Sequence, residues 1–333
     1  MVQIHFLNVG EGDCTWINHA NGANTVIDVC LAKAEKLVKA QDSVTMYSAT
    51  TKPNSIRGNY NQAANPENPI QYLQKFGVNS VFRFILSHPD MDHMDGMKDF
   101  FEAFEPTNFW DTKNNKPKPD FGKQGSKYNE EDWDFYQSIR GSKESPTYLC
   151  LYDGSNGKYY NENEDGTSGG NGLHILSPTN SHVTEANKCG DFNDCSYVIL
   201  YKTGKFKILF CGDAGNKTFE HLIANHRIDI SNVDLLIAPH HGRKGTIDFS
   251  FLDIMKPKLT FFGNASSEHL AYEEWRKRGL EKITNNQAGS LIATFEDSNM
   301  NVYARHESFA KSYNPNTFKA DDLDAWYLGH ISK

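Results

Sequence analysis

Short apolar runs separated by glycine, asparagine and aspartate turns dominate the chain. Residues 3–9, 14–18 and 25–29 each have the alternation or β-branched content of a strand. The turns Gly10-Glu11-Gly12-Asp13 and Ala20-Asn21-Gly22-Ala23-Asn24 between them predict an antiparallel meander. Helical spacing runs over 31–43 (Leu31, Ala34, Leu37, Val38), loop composition continues to about Pro69, and 70–77 read as a helix closed by Gly77. Residues 81–86 are apolar enough for a strand buried on both faces, and a helix begins near Met94. Strands resume at 173–178, 196–201, 206–211, 233–238 and 258–262, with helices over 217–226 and 272–278. Residues 290–295 and 301–304 predict a closing hairpin.

The pattern changes between 111 and 172, where 111–119 and 154–172 are rich in Asn, Gly and Lys around one helical stretch at 130–139. Too little of it is apolar to bury a core alone, so the expectation is a loop-rich insertion on a single domain spanning 1–333. Residues 305–333, with Trp326-Tyr327-Leu328, read as a C-terminal tail without an assigned role.

Composition narrows the picture. Five Trp, 15 Tyr and 21 Phe in 333 residues supply a sizeable core, while a mean hydropathy of -0.62 predicts large surface loops around it. A formal net charge of -8 argues against a generally basic nucleic-acid-binding surface. No apolar run reaches the ~18 residues of a transmembrane helix. The opening residues 1–7 lack a basic stretch followed by a signal core, so a soluble cytoplasmic protein is expected. The six Cys are scattered without a CxxC pair, which favours reduced thiols.

Three strand ends carry candidate chemistry. After the strand at 81–86 comes Ser87-His88-Pro89-Asp90-Met91-Asp92-His93-Met94-Asp95-Gly96, with two imidazoles and two carboxylates within six residues. Nitrogen and oxygen donors of this kind suit a divalent cation. A plainer reading is a solvated loop in which Asp92 or Asp95 caps the next helix. The strand at 206–211 ends in Gly212-Asp213-Ala214-Gly215, and that at 233–238 in Pro239-His240-His241-Gly242. If these ends share a sheet edge they converge, as sites in layered α/β folds commonly do. Asp28 ends its own strand nearby, as a neighbour of the site or as a turn former.

In combination, His88-x-Asp90-x-Asp92-His93, Gly212-Asp213 and Pro239-His240-His241-Gly242 resemble the metallo-β-lactamase superfamily. Residues 6–13, Asn193-Asp194-Cys195-Ser196 and Ala238 through Gly242 are similar to the hydrolase domain of ComEC-type DNA-uptake proteins and their free-standing relatives. The resemblance covers about residues 3–296, without the insertion or the tail. It implies an α/β fold, a four-layer αββα sandwich, with a site for two divalent metal ions, Zn or Mn, with Mg as a third option. By position, His88 and Asp90 would hold one metal, Asp92, His93 and His240 the other, and Asp213 would bridge. The more familiar pattern has His where this chain has Asp90, and a third ligand where Asp194 is the candidate substitute. Carboxylate in place of imidazole shifts preference from zinc toward manganese or magnesium.

Two metals in such a site suit hydrolysis by an activated water, most simply of a phosphodiester in nucleic acid or a small nucleotide. Asp92, His241 and His269 are the catalytic candidates, with His241 or His269 stabilising the transition state or protonating the leaving oxygen. A role for His241 behind the metal ligands or as a helix cap, and a surface location for His269, are the competing readings. Lys244 is an anion-binding candidate or a solvated lysine, and a basic cleft formed by Lys113, Lys116, Lys118, Lys123 and Lys127 would favour nucleic acid. The same metals would serve hydrolysis of an ester, lactone, thioester or cyclic nucleotide. A metal-stabilised interaction module without activity is the remaining alternative.

Overall fold

Strands that are apolar on both faces need cover on both sides, and this chain provides it in layers. The computed structural model describes residues 1–34, 58–122, 127–155, 157, 170–265, 269–296 and 298–333. Among these residues the strands are β1 Val2–Phe6, β2 Thr15–Asn18, β3 Asn24–Ile27, β4 Arg83–Ile85, β5 Asn108–Asp111, β6 Thr147–Cys150, β7 Leu173–Ser177 and β8 Val198–Thr203. There follow β9 Phe206–Phe210, β10 Leu235–Ile237, β11 Leu259–Phe262, β12 Lys282–Thr284, β13 Leu291–Glu296, β14 Asn299–Ala304, β15 Lys319–Ala320 and β16 Ala325–Ser332. One sheet runs β15-β16-β14-β13-β1-β2-β3-β4-β5-β6, the other β12-β11-β10-β9-β8-β7.

The sheets face each other across a common core. Ile4, Phe6, Ile17, Ile27 and Ile85 of the first meet Ile199, Ile208, Phe210, Ile237 and Phe261 of the second. The opposite faces are covered by helices. Val26, Phe84 and Phe109 lie beneath helices Pro69–Lys75, Met97–Phe104 and Glu130–Ile139. Leu200, Leu209 and Leu236 lie beneath helices that contribute Phe219, Leu222 and Trp275. Met97, Phe100, Phe101 and Phe104 recur at helical spacing on the buried face of their helix. Burying each is worth about 1.5–3 kcal/mol. The result is the expected αββα sandwich.

The antiparallel meander β1–β3 and the β13–β14 hairpin appear as the sequence predicts. The helix expected over 31–43 lies largely outside the described residues; 31–34 are described and are not helical. The segment expected as a loop-rich insertion adds an edge strand to the first sheet. β6 pairs in parallel with β5, and Trp133 and Tyr136 are buried in the outer core. The stretch that reads as a tail closes the opposite edge, with β16 antiparallel to β14. Its aromatic and aliphatic residues are sheet residues, too few in sequence to show a period.

Parallel pairing positions the site. Ile27 is in register with Ile85, and Phe210 with Ile237. The residues that follow, near 28, 88, 213 and 240, therefore leave both sheets at the same end of the sandwich. No helix among the described residues is long and apolar enough to cross a membrane.

Candidate metal centre

The first sheet delivers His88 and His93. Asp28, just past β3, accepts hydrogen bonds from Ser87 N at 2.7 Å and Ser87 Oγ at 2.6 Å, which ties the β4 loop to its neighbour. The 3₁₀ turn Met91–His93 then folds back, bringing the His93 ring within 4.2 Å of the His88 ring, centroid to centroid. The second sheet delivers Asp213 through Gly212. Gly212 has φ +50°, and a Cβ there would stand 2.9 Å from Ser87 Cβ, so only glycine lets the two loops touch.

After β10 the backbone turns left-handed at three successive residues: His240 (φ +51°), His241 (φ +57°) and Gly242 (φ +84°). For residues with a Cβ this conformation costs roughly 1–2 kcal/mol each. The strain turns two adjacent imidazoles toward the same carboxylate.

Asp213 sorts four imidazoles between its two oxygens. His93 Nε2 lies 3.3 Å and His241 Nε2 3.7 Å from Oδ1. His88 Nε2 lies 3.7 Å and His240 Nε2 3.6 Å from Oδ2. Further carboxylates extend each set: Asp92 Oδ2 is 3.5 Å from His241 Nε2, and Asp90 Oδ1 is 3.8 Å from His88 Nε2. These separations exceed a hydrogen bond. They approach the ~3.3 Å expected between two ligands bound to one tetrahedral cation at ~2.0 Å. Nε2 of His88, His93 and His241 and Oδ1 of Asp213 are buried without a hydrogen-bond partner. Buried polar atoms are nearly always partnered, and a cation is what would complete these.

Behind the cluster, carboxylates orient the rings. Asp28 Oδ2 lies 2.8 Å from His93 Nδ1, and Asp13 Oδ1 lies 2.9 Å from His241 Nδ1. Ser87 Oγ lies 3.1 Å from His88 Nδ1. Each contact leaves Nε2 to face inward, the arrangement seen behind metal-bound histidines.

The electrostatics follow from burying so many charges together. Burial pulls His93 down, but Asp213, Asp28 and Asp92 override it and hold the imidazole well above its ordinary range. His241 is likewise pushed up to about 10, against burial, by Asp13 and Asp213. Burial raises Asp213, yet His241, His93 and His88 hold it well below the carboxylate range. His88 goes the other way, lowered by burial and by His93. Without a cation, protons on His93 and His241 would balance the carboxylates.

Most residues expected at the site meet there: His88, Asp90, Asp92, His93, Asp213 and His240. Their grouping differs in one respect. His241, not His240, stands beside Asp92 and His93, while His240 shares Asp213 Oδ2 with His88. The left-handed turn reverses which of the two adjacent rings points deeper; His241 is fully buried and His240 is a quarter exposed.

Asp194 is placed elsewhere. Its Oδ1 accepts from Thr218 N at 3.1 Å, so it caps helix Asn216–Asn225, whose own N-cap, Gly215, has no side chain to do so. His269 is exposed, and its carbonyl accepts from Lys244 N at 2.6 Å, beside the rim of the site rather than within the cluster. Of the insertion lysines, Lys116 pairs with Asp90 and Lys127 with Glu11, both at the mouth. Lys118 pairs with Glu130 and Asp134, Lys113 is exposed, and Lys123 lies outside the described residues. Asp13 went unrecognised as a site residue; its signal was the Gly12-Asp13 turn, 228 residues from His241.

No family model and no curated protein matches the sequence. Among solved structures, the chain is similar to a point mutant of the CmlA beta-hydroxylase, with 11% identity and TM-score 0.44 over 88% of this chain. It spans about half, 54%, of that protein's length. It is also similar to a diphosphatase from the PhnP family, with 12% identity and TM-score 0.42 over 89% of this chain and 98% of the other. The layer order of this chain, two facing sheets with helices on both outer faces, is the αββα order that the sequence resemblance implies.

Proposed function

We propose that the protein is a metal-dependent hydrolase of phosphodiesters, a phosphodiesterase or nuclease acting on nucleic acid or a small nucleotide. The observation that carries this reading is the division of four imidazoles between the two oxygens of Asp213. His93, His241, Asp92 and Oδ1 would hold one divalent cation; His88, His240, Asp90 and Oδ2 would hold the other. Each set mixes imidazole and carboxylate, which suits zinc or manganese. Such a cation pair supplies Lewis-acid activation of water and neutralises charge on phosphoryl oxygens.

The chain's own groups do the rest. Asp92 is kept ionised by His93 and His241 against the effect of burial, and would accept a proton from a water activated at the site. Lys116, Lys127 and Arg243 surround the mouth. Arg243 follows the histidine pair directly, and its buried Nε has no hydrogen-bond partner. Lys116 and Lys127 each neutralise a carboxylate at the mouth, so of these three Arg243 is the cation left over for an anionic substrate. His269, next to the Arg243–Leu270 bridge, is the proposed donor to the leaving oxygen.

The test strips the protein with chelator, reloads it with zinc or manganese, and measures turnover of bis-p-nitrophenyl phosphate, DNA, RNA and cyclic dinucleotides. Diester cleavage that disappears in Asp213→Ala is the expected result. Metal-loaded wild type that cleaves lactones, thioesters or carboxylic esters but no diester would replace this reading. Loaded protein inert toward all of them would indicate a metal-stabilised module.

A further inference from the structure

On the second sheet's helical side, away from the Asp213 cluster, two histidines converge on one aspartate. Asp153 lies in the turn after β6, its N–H bonded to the carbonyl of Pro178 at 2.8 Å. His221 sits on helix Asn216–Asn225, and His226 at the junction with helix Arg227–Ile230. His221 Nε2 is 3.0 Å from Asp153 Oδ2, and His226 Nε2 is 2.9 Å from Asp153 Oδ1. One ligand atom from each of the three residues lies within 4.8 Å of the others.

We propose that Asp153, His221 and His226 form a separate zinc site, with solvent in the fourth position, that clips the β6 turn to the 216–230 helices. Two imidazoles and a carboxylate with one open position form an established zinc ligand set. Side-chain exposures of 15–21% leave the cluster partly buried yet open to water. The far ring nitrogens also have partners. Asn225 Nδ2 lies 3.0 Å from His221 Nδ1 and donates to the His221 carbonyl at 3.0 Å. His226 Nδ1 faces Asp229 Oδ2 at 3.7 Å. The Asp229 carboxylate favours the His226 tautomer protonated on Nδ1, which leaves that Nε2 free for a metal. Zinc replaces the hydrogen bonds to Asp153 and releases any proton held on Nε2. This site does not depend on the proposed activity of the Asp213 cluster.

The experiment uses the full chain carrying Asp213→Ala, with and without Asp153→Asn and His226→Gln, so that the two sites can be counted apart. After chelation and dialysis against zinc, metal analysis should show one equivalent more in the parent than in the variant. Cobalt in place of zinc should give a tetrahedral visible band that the variant lacks, and zinc should raise the Tm of the parent by several degrees more. Equal metal content and equal cobalt spectra in correctly folded parent and variant would overturn the proposal, leaving a hydrogen-bonded His-Asp-His cluster. If the double variant fails to fold, His221→Gln alone and cobalt titration of the Asp213→Ala parent decide: no tetrahedral band in that parent refutes the site.

Discussion

At the residue scale, the carboxylates behind the rings matter as much as those in front. Asp13 touches no proposed cation position, yet it holds His241 Nδ1 at 2.9 Å. Asp13→Asn keeps the shape but exchanges a charged acceptor for a neutral amide. Metal affinity should fall by about 10- to 100-fold while the circular dichroism spectrum stays the same; competition with a chromogenic chelator would show it. Lys116 presents a different case. Its ammonium rests on Asp90, where it balances charge at the mouth. Lys116→Ala should raise KM for a diester several-fold with kcat within about twofold, because a surface anion contact binds ground and transition states alike. An unchanged KM would remove Lys116 from substrate binding.

The residues of the centre were largely legible in the sequence because each follows an apolar strand; their partners were not. Nothing in Pro239-His240-His241-Gly242 tells which imidazole turns inward, since that depends on two left-handed backbone angles. Asp194 looked like a ligand by position, but a helix beginning at a glycine needed its carboxylate more. Asp13 and Asp153 act on histidines far along the chain, and no local pattern reports that.

At the element scale, the turn after β10 concentrates strain where the chemistry is. Gly242 has φ +84°, and a Cβ there would lie 2.4 Å from the Phe262 ring. Gly242→Ala should therefore cost roughly 1–3 kcal/mol and shift His240 and His241 together. Lower Tm with weaker metal binding is the expected pair of results; a loss of stability without a change in metal affinity would separate the turn from the site. The strands and their covering helices were readable from buried-face periodicity. The edges were not: β6, β15 and β16 are short or mixed in polarity, and they became strands only because a neighbouring strand offered its free edge.

At the scale of the whole molecule, two buried histidines outside the site set the acid limit. Burial holds His5 and His19 down to about 3, with smaller contributions from Arg305 and Arg83 respectively. In the unfolded chain they titrate near 6.5. As pH falls from 6.5 toward 3, the unfolded state takes up protons the folded state refuses, so stability present above 6.5 is progressively lost. Denaturant midpoints measured across that window should decline with acid, and His5→Gln should flatten the slope.

The candidate metal centre draws side chains from both halves of the sandwich. Asp28, His88 and His93 hang from the first sheet, and Asp213, His240 and His241 from the second. A cation held there is a rivet between two plates that otherwise meet through an apolar core and a few hydrogen bonds, such as Tyr197 N to the Ser87 carbonyl and His241 to Asp13. Prising the plates apart would have to break coordination first, so chelation should loosen the whole body, and protease resistance should rise and fall with metal content.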